Sequence, residues 1–257
     1  MDLALTGRTI VITGGSSGIG LATARLLLAE GANVAVCGRD LDRLEAAAED
    51  LPGEPLTMVA DVLDADAMQE FVAAVVERFG ALDGLVNNAG QSRMSTYATT
   101  TDDAWRQELD LKFFGLLHPT RAAEPHLRRS EIASVVNLNA VLARQPEGRL
   151  VATSAARAGA LNLTKSMSRE LAPDIRVNAI LLGLIDTGQW TRRFNEADTE
   201  LDYDAWCAEL AADRGIPLGR LGRADEVAAQ IALLLSPRSG YTTGAAIEVA
   251  GGVSRGL

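Results

Sequence analysis

Only two cysteines, Cys37 and Cys207, occur in the 257 residues, and no C-x-x-C spacing is present. A disulfide framework and a cysteine-based zinc site are thereby excluded. No apolar run approaches the roughly 20 residues that a membrane span needs. The chain carries Asp2 and reaches a strand-like run within ten residues of its start, so no signal peptide is expected and a cytoplasmic location is. Basic charge is outnumbered, 24 Lys and Arg against 34 Asp and Glu, for a net charge of -10. Nucleic acid and anionic membrane surfaces are therefore poor partners. Aromatics make up 4%, and there is no repeat, low-complexity tract or interdomain linker. What remains is an ordinary soluble α/β composition, 47% hydrophobic and 23% charged, in a chain long enough for one domain with a large core.

The most informative stretch is Thr13-Gly14-Gly15-Ser16-Ser17-Gly18-Ile19-Gly20. It follows the apolar run Thr9 to Ile12 and opens a helical pattern from Leu21 to Glu30, giving strand, glycine turn and helix. Gly14 permits a sharp turn, Gly18 removes a side chain where backbone approaches a phosphate, and Gly20 lets the helix lie close to the sheet. Free N–H groups and the positive end of the helix then face a pyrophosphate. Strand before and helix after are the context that turns a glycine pattern into a dinucleotide site. After Gly31, a helix cap, Asn33 to Cys37 reads as a second buried strand, with Cys37 in the core. Arg39 follows Gly38 at its end, where a basic side chain holds an adenosine 2′-phosphate and an acidic one the ribose hydroxyls. NADP(H) is favoured over NAD(H), with Asp40 as the competing ribose ligand.

Strands and helices then alternate. Helices are expected over Asp40 to Asp50, Ala65 to Phe79 (closed by Gly80), Asp102 to Ala123 (capped by Thr101 or Asp102), Val151 to Leu171 and Ala224 to Leu235. Pro119 is expected to kink or shorten the fourth of the chain's helices. Strands are expected over Leu56 to Ala60, Leu82 to Val86, Ser134 to Leu138, Arg176 to Leu181 and Ala246 to Val249. This order implies one doubly wound parallel sheet. Asp61-Val62 and Asn87-Asn88-Ala89-Gly90 fall at strand ends, where such sheets bind ligands. The two amides are suited to tying neighbouring strands together. His118 and His126 read as structural. Leu182 to Gly219 holds Gln189, Trp190, Phe194, Tyr203 and Trp206, and reads as a substrate lid that suits an apolar or aromatic substrate, or as aromatics packing on their own domain.

On these motifs the whole chain resembles the short-chain dehydrogenase/reductase family, which implies a single-domain Rossmann-type fold and an oxidoreductase. T-G-x-x-x-G-x-G is Thr13 to Gly20, the adenine-side aspartate is Asp61, and N-N-A-G is Asn87 to Gly90. Arg176-Val177-Asn178 matches the sixth strand, Gly183 the glycine of a P-G turn whose proline is replaced by Leu182, and Thr187 the nicotinamide contact. The resemblance thus implies a cofactor site of Gly14, Ser16, Ser17, Gly18, Ile19, Gly20, Arg39, Asp61, Val62, Asn88, Ala89, Gly90, Arg157, Gly183, Ile185 and Thr187. It also implies a homotetramer or homodimer built on the helices around Asp102 to Ala123 and Val151 to Leu171.

The family's catalytic set of Asn, Ser, Tyr and Lys aligns with Lys112, Ala140, Thr153 and Arg157, so all four positions depart from the pattern. A threonine hydroxyl does not ionise near neutral pH, and an arginine stays protonated but can hold ribose hydroxyls. Ala140 removes a hydroxyl that Asn139 replaces only with a shift of the loop. Lys112, desolvated beside a cationic arginine, would fall from about 10.4 towards a usable acid. Its other reading is a hydrogen bond to a backbone carbonyl. Tyr97 and Tyr203 read as pocket wall or surface. Candidate catalytic residues are therefore Lys112, Asn139, Thr153 and Arg157. Three functions follow: an oxidoreductase acting on a carbonyl, imine or enone; a non-catalytic dinucleotide-binding protein; and a lyase or isomerase using Lys112.

Overall fold

A computed structural model describes residues 1–255 of the chain. Thr9–Thr13 (β1), Gly18–Ala29 (α1), Asn33–Gly38 (β2), Leu41–Glu49 (α2), Leu56–Val59 (β3), Ala65–Phe79 (α3) and Gly84–Asn87 (β4) form the first half. The second half runs Asp102–Leu127 (α4), Ser134–Ala140 (β5), Val151–Glu170 (α5), Arg176–Leu182 (β6) and Ile185–Asp186 (β7). It ends with Gly188–Asn195 (α6), Tyr203–Asp213 (α7), Gly222–Arg223 (β8), Ala224–Leu235 (α8) and Ala246–Val249 (β9).

Seven strands pair in the order β3-β2-β1-β4-β5-β6-β9, all parallel. This is the single-domain doubly wound sheet that the alternating elements imply. Strand order reverses between β1 and β4, so the ligand crevice opens at the carboxyl ends of these two strands. Successive residues of a strand feed opposite cores. Ile10, Ile12, Val34 and Val36 meet Leu27 of α1 and Ile231 of α8, whereas Val11, Ala35 and Leu85 meet Phe71 and Val75 of α3 and Leu127 of α4. Burial on both faces explains why the strands are apolar throughout rather than alternating, and each large side chain so buried contributes about 1.5–3 kcal/mol.

Local chemistry sets the helix ends. Asp64 accepts from the N–H groups of Asp66 and Ala67 to start α3, and Gly80, at φ 79°, closes it. Thr101, not Asp102, caps α4 through Ala104 N–H at 3.2 Å. Two expectations are corrected. The helix α1 begins at Gly18, three residues before Leu21, so the last glycines of the motif are helical. The helix α4 runs through Pro119 and Pro125 to Leu127 rather than stopping at Ala123. Pro119 lacks the N–H that the Gly115 carbonyl would accept, yet both flanks are held: Gly115 packs on Val62, and Thr120 is bonded to Asn87. Among the described residues no helix is long and apolar enough to cross a membrane.

Candidate active site

The glycine turn is anchored before it can hold anything. Gly14 and Gly15 N–H groups donate to the Cys37 carbonyl at 2.8 and 3.2 Å. Burial pushes the Cys37 thiol up to about 12, so it is inert. Gly14 has φ +68°, and a Cβ there would stand 2.9 Å from Ala89 Cα. A Cβ on Gly20 would lie 2.4 Å from the Gly14 oxygen and 2.6 Å from Asn88 Nδ2. Asn88 Nδ2 donates to the Thr13 and Gly14 carbonyls, both at 2.9 Å, while the Asn88 and Ala89 N–H groups donate to Thr13 Oγ1 at 3.1 Å. The N-N-A-G stretch thus ties β4 to β1, as its amides suggested. Asn87 extends the tie: its Nδ2 donates to Thr120 Oγ1 and to Asn137 Oδ1, at 3.1 and 2.8 Å.

Ser17 stands at the start of α1 without capping it through its side chain, which leaves the first N–H groups of α1 directed at the crevice. Thr187, at the start of α6, lies across from Gly18, its Cγ2 3.3 Å from where a Gly18 Cβ would be. The fold therefore brings the predicted nicotinamide contact to the glycine turn. Ile185, two residues before it, is buried in the core. Gly183 has a packing reason of its own, since a Cβ would meet Ala250 Cα at 2.8 Å.

At the far end of the crevice Arg39 is exposed after β2. Asp40 is engaged elsewhere: its carboxylate accepts from Arg43 N–H at 3.1 Å and caps α2. Arg43, which the sequence reading passed over, donates from Nη2 to Ser17 Oγ at 2.9 Å and so joins the glycine turn. Its signal was its place in the first turn of a helix beginning beside Arg39. Asp61 Oδ1 accepts from Leu63 N–H at 3.0 Å. Val62 is buried, and its carbonyl lies 3.2 Å from His118 Nδ1, consistent with a structural histidine.

Three of the four departing positions, Lys112, Thr153 and Arg157, meet where α4 packs on α5, while Ala140 ends β5. Lys112 is 7% exposed and donates to the Gln91 carbonyl at 2.7 Å. Its Nζ stands 3.6 Å from Oε2 of Glu108, itself 2% exposed. The same oxygen accepts the Thr153 hydroxyl at 2.7 Å, and Thr153 Oγ1 accepts from Arg93 N–H at 3.3 Å. The Arg157 guanidinium is the second cation of the cluster, with its Nε buried and without a hydrogen-bond partner among the described residues. Burial, helped by the Arg157 charge and opposed by Glu108, brings the Lys112 ammonium down to about 8. Burial brings Arg157 down to about 10 against the pull of Glu108, leaving it cationic at neutral pH. Both sequence readings of Lys112, the desolvated ammonium and the carbonyl hydrogen bond, coexist here. Glu108 was missed, although a Glu four residues before a Lys on one helix is a recognisable pair.

Other candidates are placed differently. Asn139 is no substitute for the serine: its Nδ2 donates to the Arg157 carbonyl at 3.0 Å and its Oδ1 accepts from Ala140 N–H at 2.8 Å, so the amide is committed to backbone. Thr153 has its hydroxyl hydrogen on Glu108 and is fully buried. Tyr97 is 86% exposed. Tyr203 donates to the Asp186 carboxylate, and burial and that bond raise its pKa further. The aromatics of residues 183–219 cluster together, Phe194 lying edge-on to Tyr203 at 5.3 Å and tilted against Trp206 at 5.7 Å between ring centroids. They hold α6 to α7.

Residues 14–254 match the family model described as enoyl-(acyl carrier protein) reductase. A 3-oxoacyl-(acyl-carrier-protein) reductase of Thermotoga maritima is 35% identical over 253 residues, covering 97% of this chain and 98% of that relative. Among solved structures, the apo short chain oxidoreductase from Pseudomonas aeruginosa PAO1 containing an atypical catalytic center superimposes with a TM-score of 0.95 at 52% identity, over 98% of this chain and 99% of that one. Its NADPH-bound form gives a TM-score of 0.94 at 51% identity over the same shares. L-Sorbose reductase from Gluconobacter frateurii, complexed with NADPH and L-sorbose, gives 0.93 at 31% identity over the whole of both chains.

Proposed function

Because the chain belongs to the short-chain dehydrogenase/reductase family, we propose that it is an NADP(H)-dependent oxidoreductase whose acid–base work falls to Lys112. The observation that carries this reading is the position of Lys112 in the α4–α5 seam, buried, near neutrality in its pKa, and bonded to the Gln91 carbonyl just past the N-N-A-G stretch. The residues present suit a dinucleotide. The turn at Gly14 to Gly20 leaves no space for a Cβ at Gly14 or Gly20, and the uncapped start of α1 offers N–H groups to a pyrophosphate. Asp61 and Val62 would hold the adenine end, Asn88, Ala89 and Gly90 the middle of the cofactor, and Gly183, Ile185 and Thr187 the nicotinamide end. Arg39 and Arg43 provide two cations for a 2′-phosphate, while the cap made by Asp40 removes the acidic alternative. Two similar structures contain NADPH.

When bound, NADP(H) supplies or accepts the hydride. Lys112 holds a proton on Nζ and passes it to the substrate oxygen or nitrogen in reduction, or takes it back in oxidation. Arg157 stays charged, and its guanidinium would hold the ribose hydroxyls. Thr153 transfers no proton, being an aliphatic alcohol already bonded to Glu108. With no tyrosine at position 153 to protonate a carbonyl oxygen, a substrate that needs little protonation on oxygen, an imine or enone, suits this site better than a simple ketone. Residues 183–219 form the lid, where half-buried Trp190 and Phe194 favour an apolar or aromatic substrate. Exposed Leu109 and Phe114 on α4 suit assembly as a homodimer or homotetramer.

The deciding experiment is fluorescence titration of NADPH and NADH followed by stopped-flow absorbance with ketones, imines and enones. Turnover of imines or enones supports the reading. Tight NADPH binding without oxidation of any substrate favours the non-catalytic dinucleotide-binding protein, for which the commitment of the Thr153 hydroxyl to Glu108 also speaks. Absence of binding overturns both.

A further inference from the structure

Glu108 is a carboxylate placed on the inward side of α4, where burial without partners is costly. Its Oε2 accepts the Thr153 hydroxyl at 2.7 Å and lies 3.6 Å from Lys112 Nζ. We infer that Glu108 is the positioning residue of the acid–base cluster: it holds Lys112 as a charged ammonium and takes up the Thr153 hydroxyl, so that the lysine alone is left to exchange a proton with substrate. The inference rests on Lys112 being the acid of the reaction proposed above, but its test does not require turnover.

The groups around Lys112 come from three elements. Its own helix α4 contributes Glu108, α5 contributes Arg157 and, through Glu108, Thr153, and the segment after β4 contributes the Gln91 carbonyl. Burial and Arg157 both favour loss of the lysine proton, and Glu108 is the one carboxylate that opposes them. Without its charge the ammonium has a carbonyl dipole on one side and a guanidinium on the other. The lysine would then be neutral over much of the range in which a reductase needs it charged. Thr153 reinforces the arrangement by donating to Glu108, which orients the carboxylate while removing a second hydroxyl donor from competition.

The chain makes this directly measurable, because Lys112 and Lys165 are its two lysines. Protein labelled with ¹³C,¹⁵N-lysine gives two side-chain titrations by NMR, with Lys165, bonded to the Gly244 carbonyl at 3.0 Å, as internal reference. In Glu108→Gln, which keeps the shape and an acceptor for Thr153, the Lys112 midpoint should fall from near 8 by about one pH unit or more, a tenfold or larger change in proton affinity. The Lys165 midpoint should stay in place, and so should NADPH affinity. Glu108→Asp should move Lys112 the same way by less, and supplies the answer if the glutamine variant does not fold. A Lys112 midpoint unchanged or raised in either variant overturns the inference. A lowered midpoint in a protein that turns over no substrate supports the coupling and removes the proposed reaction instead. Where turnover is found, the alkaline fall of kcat/KM should move to lower pH in Glu108→Gln, a change that lost packing alone does not produce.

Discussion

The Thr153 hydroxyl donates to the Glu108 carboxylate across 2.7 Å in the seam between α4 and α5. A hydroxyl so placed is an internal bond and not a proton source. Thr153→Val keeps the shape and should lower kcat by less than about tenfold, at a stability cost of about 1–3 kcal/mol for the exposed need of Glu108. Lys112→Met should lower kcat by roughly 10²- to 10⁴-fold, the range of a positioned general acid, with NADPH binding kept. Steady-state NADPH oxidation compares the two. A Thr153→Val loss as large as that of Lys112→Met would return the proton to the threonine.

The pH dependence follows from Lys112. In the proposed mechanism a reduction needs its ammonium, so kcat/KM should be level below about 8 and fall above it, while the oxidative direction should rise through the same value. Because burial outweighs the pairing with Glu108, stability moves the other way from a lysine whose partner raises its pKa. The unfolded side chain keeps its proton up to 10.5 and the folded one to about 8, so between these values the unfolded state binds more protons and stability rises with pH. Below 8 the burial penalty is fully present, on the order of 3 kcal/mol. Denaturant unfolding between pH 7 and 10 should show this rise in wild type and lose it in Lys112→Met.

Cofactor choice should depend on two arginines. Arg39→Ala and Arg43→Ala should each weaken NADPH about tenfold, the worth of a charge-assisted bond to phosphate, and leave NADH within about twofold. The Arg43 effect is the sharper test, because Arg43 reaches the glycine turn through Ser17. Equal losses for both nucleotides would assign the arginines to folding rather than to the 2′-phosphate.

What could be read from the sequence divides by the range of the forces involved. The bounds of α3 were legible because Asp64 and Gly80 act on residues next to them. The glycine cradle was legible because its spacing is local. The passage of α4 through Pro119 was not, since its flanks are held by Val62 and Asn87 from elsewhere in the chain. The helices α6 and α7 were not expected from the sequence: they are short, and their aromatics pack largely on one another. Asn139 and Glu108 exchanged importance for the same reason. Asn139 finds its partner on α5 at Arg157 and is spent on structure, whereas Glu108 finds Thr153 there and enters the site. Neither encounter is written in the local pattern.

The cradle itself can be broken at one atom. A methyl at Gly20 would stand 2.4 Å from the Gly14 oxygen and 2.6 Å from Asn88 Nδ2, and the Gly14 oxygen belongs to backbone already held by Cys37. The Asn88 amide must then leave the two carbonyls through which it joins β4 to β1. Gly20→Ala should therefore cost about 1–3 kcal/mol, as overpacking does, and lower Tm by roughly 3–10 °C. NADPH affinity should fall at least about tenfold, the effect of misplacing several bonds to a charged ligand. Gly148→Ala is the control, since a Cβ at Gly148 meets nothing within 4 Å. Calorimetry and NADPH titration should separate the two variants clearly. If Gly20→Ala matched the control in both measurements, Asn88 would have to be free to move, and the tie between β1 and β4 would not be what shapes the crevice.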